Sequence, residues 1–215
     1  MKFIIRGGIL IKILILGATG RVGSYVLNKV LQGDHDVTVL VRQPKKIMSN
    51  QRLTIINGNV LNKEDIAKAL SGIEVVISAL STDGTTTLSN SMQLILEDMN
   101  KRAIKRIITV GTAGILQSQT DPSLLRYQSK ESKRKSIWAA EEHHEVFRLL
   151  SESDLQWTII CPPYLSSGNF TGYYRIERDF LPQAGVAISI PDVADFVYKQ
   201  VLSVDYINSR IGIAY

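Results

Sequence analysis

The chain has 215 residues, 45% apolar and 21% charged, which is enough for one hydrophobic core and short for two. Net charge is +5, and much of the basic excess sits in Lys130, Lys133, Arg134 and Lys135. No aromatic residues interleave with that run, so no nucleic-acid partner is expected, and an anionic substrate or a phosphorylated cofactor explains the basicity more simply. The single cysteine, Cys161, excludes an internal disulfide, and His35, His143 and His144 show no metal-ligand spacing, so no metal site is expected.

Lys2 and Arg6 flank a short apolar stretch, but Lys12 interrupts it before any small-residue cleavage site. The longest uncharged apolar run is far below the ~20 residues a membrane span needs, so a cytoplasmic protein without membrane contact is expected. Residues 1–10 are surplus to the fold, and 11–215 are taken as one domain. Strand-like runs then alternate with amphipathic stretches. Lys12–Leu16 predicts a strand, Gly20–Leu31 a helix, Asp36–Arg42 and Leu53–Ile56 two strands, and Lys63–Leu70 a helix ending at Gly72. Glu74–Leu80 predicts a strand, Leu88–Arg102 a long helix and Arg106–Val110 a fifth strand. Ser136–Ser151 predicts a helix with an apolar face of Trp138, Val146, Phe147 and Leu150, and Trp157–Cys161 a buried strand in which the thiol is a small hydrophobe. Val186–Ile190 predicts a seventh strand, Asp192–Leu202 a helix, and residues 209–215 a last edge strand. Sequential strands joined by right-handed helical crossovers give an α/β fold with a single doubly wound parallel sheet.

After the first strand come Gly17, Ala18, Thr19, Gly20, Arg21, Val22 and Gly23, a Gly-x-x-Gly-x-x-Gly spacing between a strand and a helix. Gly17 suits a tight turn, Gly20 lets a pyrophosphate approach the backbone at a helix N-terminus, and Gly23 lets the helix pack on the strand. In that context the segment predicts a dinucleotide-binding Rossmann fold. An NAD-selective site places an acid at the end of the second strand to hold the ribose 2′-hydroxyl. Arg42 stands there instead, with Lys46 four residues on, and favours the 2′-phosphate of NADP(H).

The glycine motif, Arg42, Gly58-Asn59-Val60 and Ser78-Ala79-Leu80-Ser81 resemble the NAD(P)H-binding, NmrA-like branch of the atypical short-chain dehydrogenases. Further on, Ser153–Thr158, Cys161-Pro162-Pro163-Tyr164 and Thr171-Gly172-Tyr173-Tyr174 resemble the biliverdin reductase B, or flavin reductase, group within it. The resemblance runs from about Ile11 to the C-terminus. It implies hydride transfer from NADPH to flavins or bilins. It also implies adenine contacts at Asn59 and Val60, where the family commonly has aspartate for Asn59. Ala79, Leu80 and Ser81 would lie on the ribose and pyrophosphate side, and Pro162-Pro163 against the nicotinamide. Thr112 stands where short-chain dehydrogenases carry serine and Tyr164 where the reductase has histidine. Each is a candidate to orient substrate, with a plain reading beside it: Thr112 satisfying its own loop, and Tyr164 packing on the cofactor.

The Tyr-x-x-x-Lys pair of short-chain dehydrogenases is missing. Tyr127 is followed four residues later by Glu131, and Lys130 is only three away, in a stretch that reads as loop. Exchange of Tyr127 for Phe is therefore expected to be nearly silent, and epimerase chemistry is disfavoured. The sequence leads first to an NADPH-dependent reductase of flavin, quinone or bilin type, a monomer or weak dimer acting on a small-molecule acceptor. A non-catalytic NADP(H)-sensing protein remains the alternative, since both share every cofactor residue.

Overall fold

The computed structural model describes residues 10–132 and 136–215; residues 1–9 and the end of the basic run, Lys133 to Lys135, lie outside it. One eight-stranded sheet forms the centre. Its strands are β1 (Lys12–Leu16), β2 (Asp36–Val41), β3 (Leu53–Asn57), β4 (Val75–Ser78), β5 (Arg106–Val110), β6 (Gln156–Cys161), β8 (Arg175–Arg178) and β10 (Ser209–Ala214). Two short strands, β7 (Tyr164–Ser166) and β9 (Ala187–Ser189), pair with each other in parallel beside it. The order across the large sheet is β3-β2-β1-β4-β5-β6-β10-β8, all parallel except the β10–β8 pair.

The sheet is covered on both faces, and period-2 alternation decides which residue goes where. Ile13 and Ile15 of β1 join a core with helices α1 (Arg21–Gln32) and α5 (Ile190–Leu202). Leu14 and Leu16 join the opposite core, with α2 (Lys63–Ala69), α3 (Thr87–Lys101) and α4 (Trp138–Ser151). The same split divides Ile108 from Ile107 and Ile160 from Ile159. Two helices start on local signals: Asn62 accepts the Asp65 N–H to cap the N-terminus of α2, and Ser189 accepts the Asp192 N–H to cap that of α5.

Three expectations change. The strand at the C-terminus is interior rather than an edge: all of β10 is buried between β6 and β8. Residues 187–189 join β7 instead of the central sheet, and β8, the true edge, carries four exposed residues whose pattern gave no signal. Trp138, expected on the apolar face of α4, is 43% exposed because the helix begins there and its first turn projects past the sheet. No helix of the described residues is long and apolar enough to cross a membrane.

Candidate functional site

From β1 the chain builds outward through β2 to β3, then returns to place β4 on the other side of β1. Connections on the two sides of this switch point diverge and leave a crevice above the carboxyl ends of the strands, the usual ligand position in such sheets. A cleft of about 220 Å³ lies there, lined by Gly17, Thr19 and Gly20, by Arg42 after β2, by Asn59 and Val60 after β3, and by Ala79, Leu80 and Ser81 after β4.

The three glycines of the turn do different work. Gly17 has φ +79°, and a Cβ there would lie 2.5 Å from the Ala79 carbonyl oxygen, so any side chain is excluded by conformation and by contact. A Cβ on Gly23 would lie 2.1 Å from the Gly17 carbonyl oxygen, so helix and turn pack main chain on main chain. Gly20 is the least crowded, its nearest neighbour being the same carbonyl at 3.1 Å. The protein's own packing asks least of Gly20, and the position opens into the cleft. Helix α1 begins with no side-chain cap and no acid in its first turn, and the Arg21, Val22 and Gly23 N–H groups have no acceptor among the described residues. Three free amides at a positive helix terminus form an anion cradle.

The remaining expected residues divide. Ala18 and Val22 bury their side chains in the core, leaving only main chain for a ligand. Asn59 is engaged locally: its Oδ1 accepts the Leu61 N–H, and its own N–H donates to Asp65 Oδ2 at 2.8 Å. Arg42 is exposed at the cleft wall. Lys46 is not brought to that wall; it lines a neighbouring cleft that meets the first at Thr19. Asp83, unforeseen from sequence, also lines the first cleft, its carboxylate kept below the usual range chiefly by the Thr85 hydroxyl.

A second, larger cleft of about 760 Å³ lies over β5 and β6. It begins where the first ends: Gly20 and Ser81 line one, and their chain neighbours Arg21 and Thr82 the other. Arg21 donates to the Leu165 carbonyl at 2.9 Å and so bridges the glycine turn to β7. Thr112, Pro162, Pro163 and Tyr164 all line this cleft. Thr112 is buried, and its hydroxyl accepts the Gly114 N–H at 3.4 Å, capping its own loop as the plain reading expects. Tyr164 is 71% exposed at the rim. Cys161, in contrast, is fully buried behind the cleft, and burial pushes its thiol up to about 12, so it is no nucleophile.

Tyr127 also lines the second cleft, and its hydroxyl lies 3.0 Å from Nδ1 of His144 on α4. Lys130 is exposed outside the cleft, so the displaced Tyr–Lys pair does not form. Glu131 turns to Ser118 at 2.7 Å and to Arg126 at 3.4 Å. Sequence reading missed His144 because its partner is seventeen residues away on another element, an offset that no periodicity marks. His144 stacks on Phe147, whose ring carries the Arg210 guanidinium at 4.3 Å. Burial, reinforced by Arg210, lowers the imidazole's pKa below the ordinary histidine value. Thr171 and Gly172 of the later motif are held away from the chemistry by buried Asp192, which accepts both of their N–H groups at 3.0 and 2.9 Å. Among the described residues no cluster of His, Cys, Asp or Glu could hold a metal ion.

With this geometry, residues 17–203 match the model of a family described as NAD(P)H-binding, and the chain belongs to that family. Its relatives include oxidoreductases. Eugenol synthase 1 of Petunia hybrida is 32% identical over 173 residues, 76% of this chain and 50% of that protein. Bacillus subtilis YwnB, an uncharacterised protein, is 24% identical over 94% of this chain and 97% of its own. A short-chain dehydrogenase/reductase of Veillonella parvula, solved in complex with NADP, superposes with a TM-score of 0.78 at 22% identity, covering 96% of this chain and 95% of that one, and shares the fold. The chain spans only 24% and 28% of the length of two further curated relatives, a lariciresinol-type reductase of Arabidopsis thaliana and a 3-beta-hydroxysteroid dehydrogenase of Mycolicibacterium neoaurum.

Proposed function

We propose that this protein is an NADPH-dependent reductase that passes hydride to a small aromatic acceptor of flavin, quinone or bilin type. The observation that carries the reading is the continuity of the two clefts across the glycine turn. The first offers free helix amides for a pyrophosphate and Arg42 for a 2′-phosphate, the second a larger space beyond, walled by both polar and apolar side chains. The cofactor fits the residues present: the opening at Gly20 suits the pyrophosphate, Arg42 the 2′-phosphate, and Pro162 and Pro163 the nicotinamide face. When bound, NADPH supplies the hydride; the chain's part is to orient and exclude. Thr112 and Tyr164 place hydroxyls on the wall and the rim, and catalysis rests on proximity in a pre-formed cleft. The finer kinship we assign is to the NmrA-like and flavin-reductase group, which the Cys161–Tyr164 and Thr171–Tyr174 segments support.

The test is NADPH oxidation followed with FMN, a quinone and a bilin as acceptors. Turnover of at least one supports the reading. Tight NADPH binding without turnover of any would favour a sensor instead, a reading supported by the exposed Tyr164 and Val186 at the rim, where a protein partner could seat.

A further inference from the structure

Two side chains of the second cleft, Thr112 and Tyr127, meet helix α4 at one loop. Gly114 follows Thr112 by two residues, and a Cβ built on it would stand 3.6 Å from both Thr112 Cγ2 and Tyr127 Cβ, and 3.2 Å from Ala140 Cβ of α4. The glycine therefore lets Thr112, Tyr127 and α4 close on one another. The Tyr127 oxygen has two neighbours: His144 Nδ1 at 3.0 Å and Gln128 Nε2 at 3.3 Å. Gln128 Oε1 accepts the Leu125 N–H at 3.0 Å, which sets the orientation of that amide and makes its nitrogen a donor to the phenol. In the tautomer that carries its proton on Nδ1, His144 is the second donor, so that the phenol oxygen is held by two N–H groups and its own proton is left for the cleft that Tyr127 lines.

We propose that Tyr127 is the proton donor of this cleft toward an aromatic carbonyl acceptor, with His144 standing behind it where short-chain dehydrogenases place a lysine. The proposal rests on the reductase reading and names a substrate class for the same site. When bound, the reduced cofactor supplies hydride to the carbonyl carbon. The C=O π pair moves to the oxygen, which takes the Tyr127 proton. The phenolate then takes the Nδ1 proton of His144, while Nε2 takes one from solvent, so that carbonyl, hydride and one solvent proton give the alcohol. His144 is neutral in this role. Arg210 behind the Phe147 ring and Arg148 on its own helix oppose its protonation, while Glu145, paired to Arg148 at 2.6 Å, favours it.

Tyr127→Phe keeps the ring and removes only the hydroxyl. With NADPH and 4-nitrobenzaldehyde as probe, kcat should fall ~100- to 10,000-fold, the range for losing a general acid, with KM nearly unchanged. His144→Phe should lower kcat less and keep a solvent deuterium isotope effect, since the exchangeable Tyr127 proton still transfers. Independently of turnover, ¹⁵N NMR of the histidine side chains should show the His144 Nδ1 resonance moving in Tyr127→Phe and staying in place in Tyr164→Phe. An unchanged kcat in Tyr127→Phe, or an unmoved Nδ1 resonance, overturns the relay. Reduction of FMN but not of the aldehyde by the unmutated protein overturns the relay alone. Reduction of neither overturns it together with the reductase reading.

Discussion

Over β1 to β4 the cleft is made largely of main chain: a glycine turn, three free amides and the strand ends, with Arg42 and Asp83 as charged side chains on its wall. Over β5 and β6 the cleft is made of side chains drawn from the loop after β5, from α4, from β7 and from the residues before β9. A backbone cradle recognises what every dinucleotide has in common and tolerates little change. A wall of side chains on loops sets which acceptor fits and changes by substitution. The fixed half of the site is thus expected to fail abruptly when mutated, and the variable half, the proposed proton donor Tyr127 apart, by degrees.

Gly20→Val is the sharpest way to break that contrast. A branched side chain there would occupy the anion cradle, while the nearest protein atom, the Gly17 carbonyl oxygen at 3.1 Å, would have to give by only a few tenths of an ångström. NADPH affinity should fall more than ~100-fold with the far-ultraviolet spectrum unchanged, since the amides lose their ligand position. Normal affinity would mean the turn is only a turn. Arg42→Ala should weaken NADPH binding by about 1.5–3 kcal/mol, roughly 10- to 150-fold, and leave NADH binding untouched. Equal losses for both nucleotides would remove the 2′-phosphate contact from the account. Gly23→Ala acts on stability: its Cβ meets the Gly17 carbonyl at 2.1 Å, and the overpacking should cost about 1–3 kcal/mol in denaturant titration. A neutral result would show that the helix shifts freely on the strand.

In the second cleft, Tyr127 apart, the effects should be graded. Thr112→Ala and Tyr164→Phe should each change acceptor reduction by ~3- to 10-fold, about the worth of one neutral hydrogen bond, with NADPH affinity preserved. Losses that track NADPH affinity would move these residues into the cofactor half. The smallest effect is on stability against pH. Both His35 and His144 have pKa values lowered by burial. Above pH ~6.5, the unfolded value, they are neutral in either state and stability is whole. As pH falls from there toward their depressed folded values, the unfolded chain takes up protons that the folded one resists, and stability is lost. The melting temperature should therefore be lower at pH 5.5 than at pH 7.5, and His144→Phe should narrow the gap. An equal or higher melting temperature at pH 5.5 would contradict this.

The same contrast governs what was legible in the amino-acid sequence. Local signals carried the first half: the β-branched run Lys12–Leu16, the spaced glycines and Arg42 lie within one strand–helix–strand unit, where spacing alone brings them together. The structure gathers Asn59, Val60, Ala79, Leu80 and Ser81 into the same cleft because parallel strands end at one edge. Lys46 misses that wall because a short 3₁₀ turn, Pro44–Lys46, carries it toward α1. The second half depends on long-range partners that leave no periodic trace. Tyr127 meets His144 across seventeen residues, and Arg210 reaches Asp179 across thirty-one. β8 joins the sheet by main-chain pairing with β10 while its side chains stay exposed. The absence of lysine four residues after Tyr127 was visible, but the contact of Tyr127 with a histidine of another helix was not. The expectation that Tyr127→Phe is nearly silent and the relay proposed above make opposite predictions for that one variant.

Cofactor choice rests on Arg42 at the end of β2. Calorimetric titration of the unmutated protein with NADPH and with NADH should give at least ~10-fold tighter binding of NADPH, the lower bound for one charge-assisted hydrogen bond from Arg42. Equal affinity for the two nucleotides, or binding of neither, would contradict it.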